Sequence, residues 1–219
     1  MKLTVEPAST DLFYKVLFQE PILDHVKIET LPTIMSRIAK VFGLRLNNIK
    51  INNEAPSDNF IHFASFSGPS AFDVSFGLEE VSARLVSPIS EEQVLDLYGK
   101  LAQFFEGDPL TSQIMNIQQQ LSTDGDVAAF FEELNPIVPN GFEESLDGRG
   151  VIYKLKEAEH ELDVHITLAP SIILQNGVFM FMEYGFSPNP YNLQDALKIV
   201  KAHRENVFKV LNLEMKAEE

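Results

Sequence analysis

Val178-Phe179-Met180-Phe181-Met182-Glu183-Tyr184-Gly185-Phe186 is the stretch on which the fold turns. One charge in a run of large apolar side chains fits a strand that is apolar on both faces. Such a strand belongs at the centre of a sheet or beneath a second covering layer. Before it, Val151, Tyr153 and Leu155 alternate with Ile152, Lys154 and Lys156, and Leu162, Val164, Ile166 and Leu168 alternate with Asp163, His165 and Thr167. Both segments predict strands, joined by the polar hairpin Glu157-Ala158-Glu159-His160-Glu161. After it, Ser187-Pro188 precedes a helix that opens at Asn192. That helix carries Leu193, Ala196, Leu197, Val200, Val207, Phe208 and Leu211 on one stripe.

The same order occurs earlier in the chain. Phe60-Ile61-His62-Phe63-Ala64-Ser65-Phe66 is apolar on both sides of a strand, and Gly68-Pro69-Ser70 supplies the following turn. Phe72, Val74 and Phe76 alternate with Asp73 and Ser75, and Val81, Ala83 and Leu85 alternate with Ser82 and Arg84. Ser87-Pro88 then precedes a helix whose capping box is Ser90 with Gln93 and whose stripe is Val94, Leu97, Tyr98, Leu101, Phe104 and Phe105, ended by Gly107-Asp108-Pro109. A shift of 103 residues superposes Val94 on Leu197, Leu97 on Val200, Phe104 on Val207 and Phe105 on Phe208.

This pattern predicts an α+β fold of two related antiparallel-sheet-plus-long-helix units, an internal repeat. The first unit is 1–107, the second is 150–219, and a helical connector, 108–149, joins them; one continuous domain is the alternative. In the connector, Leu110, Ile114, Ile117 and Leu121 fall at helical spacing, as do Val127, Phe130, Phe131 and Leu134. Thr123-Asp124-Gly125-Asp126, Asn135-Pro136 and Asn140-Gly141 punctuate it as turns. Nearer the start, strands are expected at 12–18 and 23–28 around Pro21, and a short strand at 49–51. Between them Thr30 is an N-cap with Pro32 in the first turn, and Leu31, Ile34, Ile38, Val41 and Phe42 recur at helical spacing until Gly43.

A chain of 219 residues buries roughly 70% of its unfolded surface and needs no staples. It has no cysteine, so disulfides, thiol nucleophiles and thiolate metal sites are excluded together. The start, Met1-Lys2-Leu3-Thr4-Val5-Glu6-Pro7, has no apolar stretch of signal-peptide length, and no run approaches a membrane span, so a cytoplasmic protein is expected. The formal charge is −15, from 32 acidic against 17 basic residues. It argues against binding nucleic acid through phosphates, which requires clustered Lys and Arg. Solubility or a basic protein partner accounts for it, and an acidic mimic of nucleic acid is a further reading. Seventeen Phe and no Trp imply sheets covered on two sides or an exposed apolar groove.

Segments with chemistry are few. Glu157, Glu159, His160, Glu161, Asp163 and His165 superficially resemble a zinc-hydrolase motif. The spacing of His160 and His165 sets them about 140° apart on a helix and on opposite faces of a strand, so no metal site is expected. His203 falls on the stripe of the last helix, three residues after Val200 and four before Val207. A packed, neutral histidine satisfies that position; a ligand-binding role requires an acidic partner on the facing sheet, Glu183 or Asp163. His203, Glu183, His165 and Asp163 are therefore the candidate ligand-binding residues. His25 and His62 have no identifiable partners. The adjacent pairs Glu91-Glu92, Glu132-Glu133 and Glu143-Glu144 diverge by about 100° on a helix and cannot converge as acid and base. Gly148-Arg149-Gly150 is too short for a phosphate loop, and no serine stands in a Gly-x-Ser-x-Gly turn. No catalytic residue and no cofactor is assigned.

Residues 178–184, Leu193 to Leu197 and Ala202-His203-Arg204-Glu205-Asn206-Val207-Phe208 resemble the C-terminal end of a sporadically distributed family of uncharacterised bacterial proteins. In that family a strand ending in an acidic residue and an aromatic precedes a long helix. Ile61-His62-Phe63-Ala64-Ser65-Phe66-Ser67-Gly68, Val74, Phe76 and Arg84-Leu85-Val86-Ser87-Pro88 are similar to its first sheet. The family's Arg-Tyr-x-Asn strand between the units has no evident counterpart here. The resemblance implies an architecture and no activity. In layout the chain is also loosely similar to bacterial export chaperones and helix-grip ligand binders. The reading that results is a non-catalytic protein-binding or interaction module, chaperone-like or antitoxin-like, with a protein partner or a second copy of itself. The alternatives are a small-molecule binder or enzyme using a pocket between the second sheet and the last helix, and the nucleic-acid mimic.

Overall fold

The computed structural model of the chain describes residues 2–22, 27, 29–52, 60–65, 71–88, 90–105, 108–136, 148–157, 161–186 and 193–216. Among them, four helices and ten strands make a mixed α/β fold with a large, mainly antiparallel sheet. No helix of the described residues is long and apolar enough to cross a membrane. Two compact units can be distinguished, each assembled from separate stretches of chain.

One unit comprises Asp11–Met115 and Gly185–Asp195. It holds α1 (Leu31–Phe42), β2 (Ile49–Asn52), β3 (Phe60–Ser65), β4 (Ala71–Phe76), β5 (Glu80–Val86) and α2 (Glu91–Ala102). It also holds the end of β1 (Leu3–Phe18) and the start of β6 (Leu110–Ser122). The strands run in the order β2-β3-β4-β5-β1-β6, with Tyr14 opposite Ala83 and Ala83 opposite Val74. Period-two patterning sends Tyr14, Val16, Val74, Phe76, Val81, Ala83 and Leu85 into one buried face. The helices cover that face: Tyr14 meets Tyr98 at 5.0 Å between ring centroids, Phe76 meets Phe104 at 5.2 Å, and Phe104 stacks on Phe42 at 6.0 Å. We call this the α2 unit. Ser90 caps α2 as expected, its hydroxyl accepting from Gln93 N–H. Thr30 stands at the N-cap of α1 but does not cap it: its hydroxyl turns back to donate to the Lys27 carbonyl. Gly43 ends α1 in the left-handed conformation at φ 66°.

The other, the α4 unit, comprises Met1–Thr10, Asn116–Tyr184 and Ala196–Glu219. Its remaining elements are α3 (Val127–Leu134), β7 (Val151–Glu157), β8 (Leu162–Pro170), β9 (Gly177–Phe186), α4 (Leu193–Val210) and β10 (Leu213–Met215). The order is β6-β9-β8-β7, with β10 parallel to β1 through Leu3 opposite Leu213. Strand β9 is interior, between β6 and β8, but only one of its two faces is fully buried. Its Val178, Met180, Met182 and Tyr184 lie fully buried beside Leu162, Val164, Ile166 and Leu168 of β8. Ala196, Val200, Val207 and Phe208 form the buried stripe of α4, and Asn212, at φ 55°, ends that segment in the left-handed conformation. Phe130 and Phe131 anchor α3, whose N-cap is Asp126 accepting from Ala129 N–H.

Residues 110–122 correct an expectation: they form the strand β6, not a helix. Leu110, Ile114, Ile117 and Leu121 satisfy helical spacing, yet Gln113, Met115, Ile117, Gln119 and Leu121 alternate on one buried face, with Gln120 buried on the other. Two glutamines on the buried face disguise the period of two. Tertiary partners take their amide nitrogens, Gln113 donating to Tyr14 Oη at 2.9 Å and Gln119 to Thr10 Oγ1 at 3.0 Å, while Gln113 Oε1 is buried without a hydrogen-bond partner. The strand expected at 12–18 extends back to Leu3. The strand expected at 23–28, the Gly68-Pro69-Ser70 and Asn140-Gly141 turns, both Glu143 and Glu144, Ser187-Pro188 and Asn192 lie at least in part outside the described residues.

Candidate functional site

Alternation along β9 sorts the nominated residues of the α4 unit onto two faces. Tyr184 points toward α4, where its Oη lies 3.4 Å from His203 Nδ1 and the two rings meet edge to face at 5.5 Å. Burial lowers the His203 pKa below 6.5, opposed by the negative charge of Glu157. Burial also raises the Tyr184 phenol above its usual range. Glu183, one residue earlier, projects from the other face, its Oε1 3.4 Å from His165 Nδ1. Asp163 Oδ1 stands 3.7 Å from Lys156 Nζ. The structure therefore joins His165 with Glu183 and places His203 apart from both Glu183 and Asp163. His25 and His160 lie outside the described residues, and no group of three or more His, Asp or Glu among the described residues could hold a metal ion.

The face that carries His165 and Glu183 is open. The His165–Glu183 contact and the Ser171 N–H to Gly177 carbonyl bond (2.8 Å) give one antiparallel register, which sets Thr167 opposite Phe181 and Ala169 opposite Phe179. On the far side of β8, Ile152 stands opposite Thr167 and Lys154 opposite His165. One end of the face is thus charged, with Lys154, His165, Glu183, Asp163 and Lys156. The other end is apolar: Ile152 is 69% exposed and Phe179 and Phe181 are half-buried.

The β8–β9 loop closes that apolar end and was not singled out from sequence. Ile172 is 98% and Ile173 72% exposed. Side-chain bonds hold the loop: Ser171 Oγ donates to Gln120 Oε1 at 2.7 Å and accepts from the backbone N–H groups of Ile173 and Leu174. Asn176 Nδ2 donates to the carbonyls of Thr123 and Gly125. An added Cβ at Gly177 would stand 2.8 Å from the Leu121 carbonyl oxygen, so a glycine lets the loop seat against β6. The readable signal was an apolar Ile172-Ile173-Leu174 between Ser171 and Asn176-Gly177, a turn composition that should be polar.

Sequence reasoning also passed over Arg204. Its Nε and Nη2 donate to Gln119 Oε1 at 3.1 and 3.0 Å, and its guanidinium lies 4.8 Å from the Phe208 ring centroid, the helical i to i+4 spacing.

No protein-family model matches the chain, and no significant match to a curated protein is found.

Proposed function

We propose that the protein is a non-catalytic protein-binding module, and that its docking surface is the open face and free edge of the β7–β8–β9 sheet. The observation that carries this reading is the apolar end of that face, with Ile152, Ile172 and Ile173 in solvent on a hydrogen-bonded scaffold. Burying each isoleucine would contribute about 1.5–3 kcal/mol, against an association cost of about 4–15 kcal/mol. Side-chain burial alone is therefore marginal. Strand β7 ends the strand order of the described residues, so its backbone offers the remaining bonds to an added strand. Lys154, with no ion pair among the described residues, selects an acidic residue on that strand. A partner other than a second copy is favoured, since two chains of charge −15 repel.

Strands β3, β4 and β5 followed by α2, and β7, β8 and β9 followed by α4, support descent of the two segments from one repeated unit. Strand β6 lies between them in sequence, where the resembling family has a strand, but that family's Arg-Tyr-x-Asn pattern has no counterpart in it.

Native mass spectrometry of the gently purified chain, followed by backbone amide exchange on the reconstituted complex, tests the docking reading. The expected result is a stoichiometric protein complex in which the amides of β7 become protected. The Ile152→Ser, Ile172→Ser, Ile173→Ser variant should lose the complex while keeping its circular dichroism. A mass of 24.7 kDa alone, or a complex indifferent to these substitutions, overturns it. A multiple of 24.7 kDa protected on β7 retains the docking surface and makes a second copy the partner.

A further inference from the structure

In a chain of charge −15, one cavity of the α4 unit collects cations. About 520 Å³ in volume, it lies beside the C-terminal end of α4 and β10, with Lys2, Arg204, Phe208, Lys209, Glu214 and Met215 on its walls. Arg204 is half-buried, and the two bonds its guanidinium makes both go to one neutral oxygen, Gln119 Oε1. The guanidinium has five N–H donors, so three are left without a protein acceptor among the described residues. Burial lowers its pKa, and the charges of Tyr184 and Glu205 oppose that shift. A partly desolvated guanidinium with no carboxylate in hydrogen-bond contact carries a cost in a purely structural role, because partners normally accompany charge taken from water.

The two acidic residues at the cavity do not neutralise Arg204. Lys2 Nζ holds Glu214 at 2.8 Å, and Glu205, exposed at the rim, makes no ion pair with Arg204. Lys209 has no ion pair among the described residues and adds a second uncommitted cation. The α4 dipole opposes an anion here, but it fades within the last turn, and Leu211 and Asn212 N–H groups bond the carbonyls of Val207 and Lys209. Buried Phe208 backs the guanidinium, 4.8 Å from its ring centroid, and Met215, 39% exposed, supplies the apolar surface at the mouth.

We propose that this cavity binds a small organic oxyanion, its carboxylate or phosphate gripped by the Arg204 fork and its apolar body lying against Met215 at the mouth. The planar guanidinium matches such a group with paired donors, and Lys209 supplies a point charge at the rim. This site is on the helix-covered side of the α4 unit sheet, so it stands or falls separately from the docking face.

The test is titration of the isotope-labelled full chain with sodium octanoate and with sodium phosphate, each against sodium chloride at equal ionic strength. The readouts are the Arg204 Nε–H resonance and the melting temperature. Octanoate should move both saturably. Arg204→Lys, which keeps the charge and loses the fork, should weaken binding on the order of tenfold. Lys209→Ala and Met215→Asp, both at exposed positions, should weaken it also and keep the test decisive if the arginine variant fails to fold. An Arg204 resonance that responds to neither salt beyond chloride overturns the proposal, as does equal affinity in wild type, Lys209→Ala and Met215→Asp. Phosphate binding as tightly as octanoate would remove the apolar body from the ligand class.

Discussion

His203 shows what burial does to a single titratable group. Its pKa is below 6.5 in the folded protein and near 6.5 in the unfolded chain, so acidification protonates the unfolded chain first. The histidine therefore costs stability as pH falls from about 6.5 toward its folded pKa, and costs none above. Urea unfolding of wild type and His203→Gln from pH 7 down to pH 5 should show a shallower loss in the variant; parallel curves would refute it. Gly177 belongs to the same scale. A methyl group there meets the Leu121 carbonyl oxygen at 2.8 Å and Leu174 Cβ at 2.8 Å, and the first of these is backbone that cannot swing away. Gly177→Ala should destabilise by about 1–3 kcal/mol, read from chemical denaturation, and should loosen the loop that carries Ile172 and Ile173.

The elements that alternate cleanly were legible as written. Strand β8 buries Leu162, Val164, Ile166 and Leu168 and nothing between, and α2 buries Val94, Leu97, Tyr98 and Leu101. Helix α3 is short enough that its cap matters: Asp126→Ala removes the acceptor of the Ala129 N–H and should cost about 1 kcal/mol by thermal denaturation. An unchanged melting point would show that Phe130 and Phe131 alone hold it. Strand β6 was not legible, because the residues that mark its buried face include Gln113 and Gln119. Polar side chains enter a core only where another element supplies partners, here β1 and α4. Strand β7 is legible in its alternation but not in its exposure, since Leu155, on its apolar side, is 42% exposed where the strand order ends at β7.

For the whole molecule, the phenols set the alkaline limit. Burial pushes Tyr14 up to about 12, partly offset by the bond from Gln113, and raises Tyr98 and Tyr184 as well. The unfolded chain loses these protons near pH 10, so the stability that buried phenols contribute is full below pH 10 and is lost as pH rises toward 12. Tyrosinate absorbance and circular dichroism followed together should show these three tyrosines ionising only as the fold melts; ionisation ahead of unfolding would contradict their burial. Sequence alone determined the class of most elements, the helix ends at Ser90 and Gly43 and the two-sided apolar character of β9. Those depend on residues within a turn or two of one another. The strand identity of β6, the pairing of Glu183 with His165 in place of His203, the exposed edge of β7 and the uncommitted charge of Arg204 were decided only by tertiary structure. Local periodicity specifies which side of an element is apolar, whereas the partner on that side is chosen by strand order and by contacts between residues far apart in the chain.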